Sequence, residues 1–280
     1  MSGAIAENLS GVSETLLVTL YLRAMESQRP DALIKDEKAV ALVKQMSDDG
    51  RYDFSRIRLL HLRELNKLVI ILRNREFDRY VQDFLRRHPE AVVVHIGCGL
   101  DSRFERVDNG QVEWFDLDLP EIISLRRKLI GDEKERYYLL GCSVLEDAWR
   151  EAVSVHRQRP IQFIAEGVFM YFEGAQVKRL ILTLRDHFPG AELVFDSYSP
   201  LHVHVSNLQT ARFGFRTRWG IWHGQEIERW GNGIRLLSEW GYPDRPEPRL
   251  TYYRWFLPIE RLFRTLRIYH FQLEEAQKDR

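Results

Sequence analysis

The chain predicts an α/β fold built on an open, mostly parallel sheet. Three observations carry this. A short β-branched run, Ala91 to Ile96, leads straight into Gly97-Cys98-Gly99. Four more short apolar runs follow at intervals, with helix-patterned stretches between them. The second of the five runs ends in a carboxylate, Asp118, twenty-one residues after Gly97. Strands alternating with helices imply βαβ units and therefore parallel pairing.

The elements follow in order. From Ser10 to His88 the pattern is helical. Thr15, Leu16, Val18, Tyr21 and Leu22 recur at helical spacing, as do Ala39, Val40, Leu42 and Val43. A third stretch, Ser55 to Arg87, carries Leu62, Leu65, Leu68 and Val69, then Phe77, Tyr80, Val81 and Phe84; Pro89 closes it. The strand run beginning at Ala91 is apolar on both faces, as a buried parallel strand must be. Val112 to Leu117, Tyr137 to Gly141, Ile161 to Ala165 and Ala191 to Asp196 are the other strands. Glu121 to Ile130, Leu145 to His156 and Gln176 to Phe188 are the intervening helices. Thr265 to Leu273 alternates and reads as an antiparallel edge strand. No repeat or long linker divides the 280 residues, so one domain is expected, the helical N-terminal part packing over the sheet as a cap.

Composition excludes several classes. Apolar residues at 44% suffice for a large core, and 29% charged residues is the globular norm. Zero formal net charge argues against nucleic acid as a partner. Arg86-Arg87 and Arg126-Arg127-Lys128 read as solvated helix faces. Two cysteines, Cys98 and Cys142, cannot form a disulfide framework, and a reducing cytoplasm is the simplest location. The first residues lack the pattern of a signal peptide. No apolar run reaches the ~18 residues of a membrane span, so no membrane partner is expected. No Cys/His cluster has zinc spacing; His202 and His204 share a face only if that stretch is extended, and no metal is expected. Oligomeric state stays open.

In an open α/β sheet the ligand lies beyond the carboxyl ends of the strands. Two glycines after the first strand let the backbone turn and approach a ligand closely. Asp118 is placed to accept the hydroxyls of an adenosine ribose, with Asp116 as rival on the same strand parity. The competing reading of Asp118 is an N-cap of the helix opening at Pro120. A dinucleotide needs a pyrophosphate on this loop. Here Ser102 replaces the third glycine, and Asp101 places negative charge where the pyrophosphate would sit. S-adenosylmethionine has no phosphate and carries a cation, so it suits the loop better than NAD.

Three motifs together resemble the leucine carboxyl methyltransferase family, and more narrowly its bacterial polyketide O-methyltransferase branch. They are Val94 to Arg103, Phe115 to Pro120, and Ala165-Glu166-Gly167-Val168-Phe169-Met170-Tyr171-Phe172. Glu14 to Leu17, Arg23 to Ser27 and Arg75-Glu76-Phe77-Asp78 are similar to that branch too. The resemblance implies a Rossmann-like class I methyltransferase: a seven-stranded, mostly parallel sheet with an antiparallel edge strand. Residues 10–88 would form the cap, 89–200 the cofactor core, and 201–280 an acceptor-side insertion with the final strands. It further implies that Arg75 reaches the methionine carboxylate of S-adenosylmethionine and that the Gly97 to Gly99 loop lies against the same part. Asp118 would hold the ribose, and Glu166 would face the amino or sulfonium side. At the adenine edge, where the family often has Asp-Leu, this chain offers Ser143 and Val144.

The reaction implied is methyl transfer to an oxygen of a small molecule. A carboxylate acceptor is already ionised and needs no base. A hydroxyl needs one, and His202, His204 and His223 are the visible histidines. Tyr171, Arg218 and His223 are the acceptor-side candidates, the last two from the aromatic and cationic stretch Arg212 to His223. Ordinary packing explains that stretch equally well. The alternatives are a non-catalytic binding protein on the same scaffold and an NAD-dependent oxidoreductase.

Overall fold

The computed structural model describes residues 12–50, 52–55, 64–210 and 216–276. Helices α1 (Val12–Ser27), α2 (Glu37–Asp48) and α3 (Glu64–Arg87) precede the sheet. Asp36 caps α2 by accepting the Ala39 amide at 2.9 Å. The remainder alternates: β1 (Val92–Ile96), α4 (Arg103–Val107), β2 (Glu113–Asp118), α5 (Pro120–Leu129), β3 (Tyr137–Gly141), α6 (Ala148–Ser154) and β4 (Ile161–Ala165). Then come α7 (Gly174–His187), β5 (Ala191–Tyr198), α8 (Pro200–Thr210), α9 (Gln225–Glu228), β6 (Ile234–Trp240), α10 (Phe256–Phe263) and β7 (Leu266–Leu273). Pro120 opens α5, where its missing N–H costs nothing. A reciprocal Glu173/Gln176 capping box opens α7.

The seven strands lie in the order β3-β2-β1-β4-β5-β7-β6. The first five are parallel, and β7 runs antiparallel to β5 and β6. The order reverses between β1 and β4, so the ligand crevice opens above Ile96 and Ala165, which are register partners. Val92, Val94, Phe163 and Phe195 face a core shared with α6 and α7. Val93, Ile164 and Val194 face the opposite core, closed by Phe77, Val81 and Phe84 of α3. A third cluster joins α1 and α2 to Leu100, beside the β1 loop.

Two expectations are corrected. The strand at the C-terminus is not the edge: β7 pairs on both sides, and β6 is the edge. Its alternation misleads because the polar positions are paired inside the fold. Arg267 meets Asp244 at 3.2 Å, and His270 meets Glu192 at 2.8 Å. Arg126 is not solvated but 1% exposed. It bonds the Asp116 carboxylate and donates to the Gly99 carbonyl at 2.9 Å. The stretch His202 to His204 is helical, so its two imidazoles do not share a face.

Candidate cofactor and acceptor site

The loop after β1 is shaped by its glycines. Gly97 and Gly99 hold φ of 65° and 50°, left-handed values that side chains rarely adopt. A Cβ on Gly97 would lie 2.4 Å from Val168, and one on Gly99 2.5 Å from Leu16. This loop therefore sits against both the β4 loop and the cap. The Gly99 amide donates to Asp118 Oδ2 at 2.8 Å, and the Leu119 amide donates to Asp118 Oδ1 at 2.8 Å. Burial pushes the Asp118 carboxyl above its usual range, against the pull of those two amides. A carboxylate has about four acceptor sites, so Asp118 retains capacity for hydroxyl donors. Asp116, the rival, is fully buried and committed to Arg126, Trp114 and Tyr137. That leaves Asp118 as the carboxylate at the crevice.

Glu166 follows β4 and is the focus of a buried charge network. Its Oε1 accepts from Arg73 Nε at 2.9 Å and Asn74 Nδ2 at 2.7 Å; its Oε2 accepts from Arg103 Nη2 at 2.6 Å. Burial raises its carboxyl, but Arg73 and Arg103 overcome that and hold it below the ordinary range. Arg73 also reaches Asp196 at 3.2 Å, at the end of β5. Burial lifts Asp196 to about 6 despite Arg73 and the Gly167 amide. Behind Glu166, Arg103 and Arg106 both grip Asp78 and Asp101. Arg23 binds Asp36 at 2.9 Å and the Leu100 carbonyl at 2.7 Å, tying α1 to the loop. Asp101 is thus neutralised by guanidinium groups, which removes the repulsion that the sequence alone suggested. Four arginines, Arg23, Arg73, Arg103 and Arg106, face five carboxylates, Asp36, Asp78, Asp101, Glu166 and Asp196. When all are ionised, the surplus is negative, which suits a cationic ligand. The donor and acceptor set thus fits S-adenosylmethionine.

The other candidate side chains have partners of their own. Arg75 pairs with Glu247 at 2.7 Å, away from Glu166. Two residues advance a helix by 200°, so Arg73 and Arg75 point in nearly opposite directions. Arg73 was legible: it stands four residues before Phe77 and eight before Val81, on the buried stripe of α3. Ser143 accepts the Leu145 amide on its hydroxyl, and Val144 packs into the sheet core while its carbonyl accepts from Trp149. Arg218 forms an exposed pair with Glu173 at 2.8 Å. His223 is exposed, and its amide donates to Glu226. Neither joins the strand-end cluster. Arg212 to Phe215 lie outside the described residues.

Tyr171 does belong at the strand ends. With Tyr198 and Tyr242 it surrounds Arg73 and Asp196, and burial raises all three phenols above the ordinary value. The His202 ring lies tilted against Tyr198, their ring centroids 4.7 Å apart. Burial lowers its imidazole below the ordinary 6.5. By sequence alone His202 is one of three equivalent histidines, with His204 and His223. Its position two residues into the helix that leaves β5 was the signal. Among the described residues, no group of three or more side chains could hold a metal, and no helix is long and apolar enough to cross a membrane.

Residues 16–185 match the family model of leucine carboxyl methyltransferase. The tetracenomycin polyketide synthesis O-methyltransferase of Streptomyces glaucescens is 34% identical, over 85% of this chain and 86% of its own. An S-adenosyl-L-methionine-dependent methyltransferase of Gibberella zeae is 28% identical, over 84% and 85%. A candidate methyltransferase of Thermobifida fusca shares the fold with a TM-score of 0.52 at 18% identity, covering 91% of this chain and 94% of its own. The chain belongs to the leucine carboxyl methyltransferase family and is an S-adenosylmethionine-dependent methyltransferase.

Proposed function

We propose that this enzyme methylates a hydroxyl oxygen of a small, ring-bearing molecule; the name of the tetracenomycin relative gives O-methylation in polyketide synthesis for that protein. When bound, S-adenosylmethionine supplies a methyl group made electrophilic by its sulfonium. Asp118 would hold the ribose, the Gly97 to Gly99 backbone would lie along the methionine part, and Glu166 would offset the positive charge. Arg73, rather than Arg75, is the α3 guanidinium that stands at this end. Ser143 and Val144 keep their assignment to the adenine edge.

The observation that carries the acceptor reading is the commitment of the nearby arginines. Among the described residues, Arg73, Arg103 and Arg106 are each bound to two or more carboxylates, so none is left to grip an acceptor carboxylate. A half-buried imidazole whose pKa burial lowers, His202, stands instead beside Tyr198, one of the three tyrosines around Arg73 and Asp196. A neutral imidazole accepts the proton that a hydroxyl must lose as it is methylated. Tyrosine faces suit an aromatic acceptor.

The test is titration calorimetry with S-adenosylmethionine, S-adenosylhomocysteine and NAD, followed by turnover of paired phenolic and carboxylic probes built on the same naphthalene ring. Binding of both sulfur ligands but not NAD, with methylation of the phenol, supports the reading. Methylation of the carboxylic acid alone overturns its acceptor half.

A further inference from the structure

Eleven large apolar side chains are exposed among the described residues, and eight of them lie on two neighbouring segments. Leu201, Val205 and Leu208 line one face of α8, at spacings of four and three. Tyr252, Trp255, Ile259 and Leu262, with Phe263, form a second stripe along α10 and the turn before it. Both stripes rise from one end of the sheet. Tyr198, two residues before α8, pairs with Leu266, three residues after α10. That is also the acceptor end, where Tyr198 and Tyr242 meet Arg73.

These side chains stand out from the surface rather than lining a groove: Tyr252 is 86% exposed, Leu208 72% and Leu262 71%. The charges beside them have one sign. Across 200–208 and 248–264 the only carboxylate is Glu260, which is fully buried and held by Thr265. Arg254 and Arg261 are exposed, and neither pairs with a carboxylate among the described residues. A second copy of the chain would bring the same arginines to the interface with no acid to meet them. Protruding aromatic and aliphatic groups flanked by arginine suit an in-plane contact with an anionic lipid surface.

We propose that the α8 and α10 stripes dock this enzyme on anionic membranes, with the acceptor end of the sheet facing the lipid. No membrane-crossing helix is needed for this. The contact would give apolar acceptors dissolved in the bilayer direct access to the site.

Vesicle flotation of the full chain tests it, using phosphatidylcholine alone and phosphatidylcholine with one-third phosphatidylglycerol. Co-flotation with the anionic vesicles only, reversed by high salt, is expected. The double variant Arg254→Gln/Arg261→Gln should lower that binding roughly thirtyfold, from about a fivefold loss for each nearby cation. Trp255→Ser/Leu262→Ser should lose it altogether. Unchanged S-adenosylhomocysteine binding by both variants would show that they are folded, and would keep the methyltransferase reading separate from this one. Absence of flotation, or equal flotation with neutral vesicles, overturns the proposal. So does light scattering showing a dimer that the Trp255→Ser/Leu262→Ser variant dissociates.

Discussion

Arg73 Nε lies 2.9 Å from Glu166 Oε1, a contact that joins the cap to the end of β4 across 93 positions of sequence. The same guanidinium reaches Asp196 at the end of β5. One side chain thus fixes two strand ends and closes the crevice from the α3 side. Arg75, two residues on, turns away to Glu247.

The two arginines should therefore separate in experiment. Arg73→Lys keeps the charge but loses the planar fork that spans two carboxylates. S-adenosylhomocysteine affinity is expected to fall at least tenfold. Arg75→Gln should leave that affinity within about threefold, while costing about 2 kcal/mol of stability because Glu247 loses its buried partner. Calorimetry and thermal unfolding on both variants check this. A loss of affinity in Arg75→Gln alone would restore the assignment that the sequence suggested.

Asp118→Ala removes the acceptor of two backbone amides and of the ribose hydroxyls together. Cofactor affinity should drop by about thirtyfold or more, corresponding to ~2 kcal/mol for a charged hydrogen-bonding group. Normal binding by this variant would show that the ribose lies elsewhere.

The reach of the sequence follows from what each signal reports. Strands β1, β2, β4 and β5 were legible because their apolar runs are buried on both faces, whereas β3, at the sheet edge, showed only as a short apolar run between helix patterns. Asp118 was legible because spacing along a βαβ unit fixes where the second strand ends. Glu166 was found through the motif around it, but its partners were not. Arg103 lies within a quoted motif, yet nothing local says that it is wholly buried between Asp78, Asp101 and Glu166. Apart from Arg103–Asp101, such pairings span 25 to 93 positions and depend on how helices pack. β7 was misplaced because period-two alternation cannot tell solvent from a paired polar neighbour.

Gly97→Ala should damage the site through backbone and contact together. The new Cβ would lie 2.4 Å from Val168 Cγ2, at a φ of 65°. A loss of roughly 1–3 kcal/mol is expected, the range for strain at such positions. Gly97→Ala/Val168→Ala should recover only part of it, since the dihedral strain persists. Full recovery in chemical denaturation would mean that the contact alone mattered.

Glu192 gives a pH signature of stability. It pairs with Arg87 and His270, and despite the opposing effect of burial these hold its carboxyl at about 2, against an ordinary 4.5. The folded value is depressed, so the stabilisation is complete above about pH 4.5 and is lost as pH falls toward 2. Arg87 is half exposed, so screening reduces it to the order of 1 kcal/mol. The difference in unfolding free energy between the natural chain and Glu192→Gln should shrink across that window. A difference independent of pH would show that shape, not charge, holds this pair.

His202 should set the acid limb of the pH–rate profile for a phenolic probe. Burial lowers its pKa below 6.5, so the imidazole is neutral at pH 7 and available as a base. As pH falls through that lowered value, protonation removes the base and the rate declines. His202→Asn keeps a polar side chain of similar reach but cannot take up the proton. It should lower kcat by about a hundredfold, the lower range for general-base catalysis, and abolish the acid limb. KM and S-adenosylhomocysteine affinity should change little, because among the described residues the ring contact of His202 is to Tyr198 and not to Glu166 or the arginines that hold it. If KM rose while the pH profile kept its shape, His202 would be a wall of the pocket, and an acceptor already ionised in solution would become the better reading. The same experiment thus decides whether the enzyme must move a proton at all.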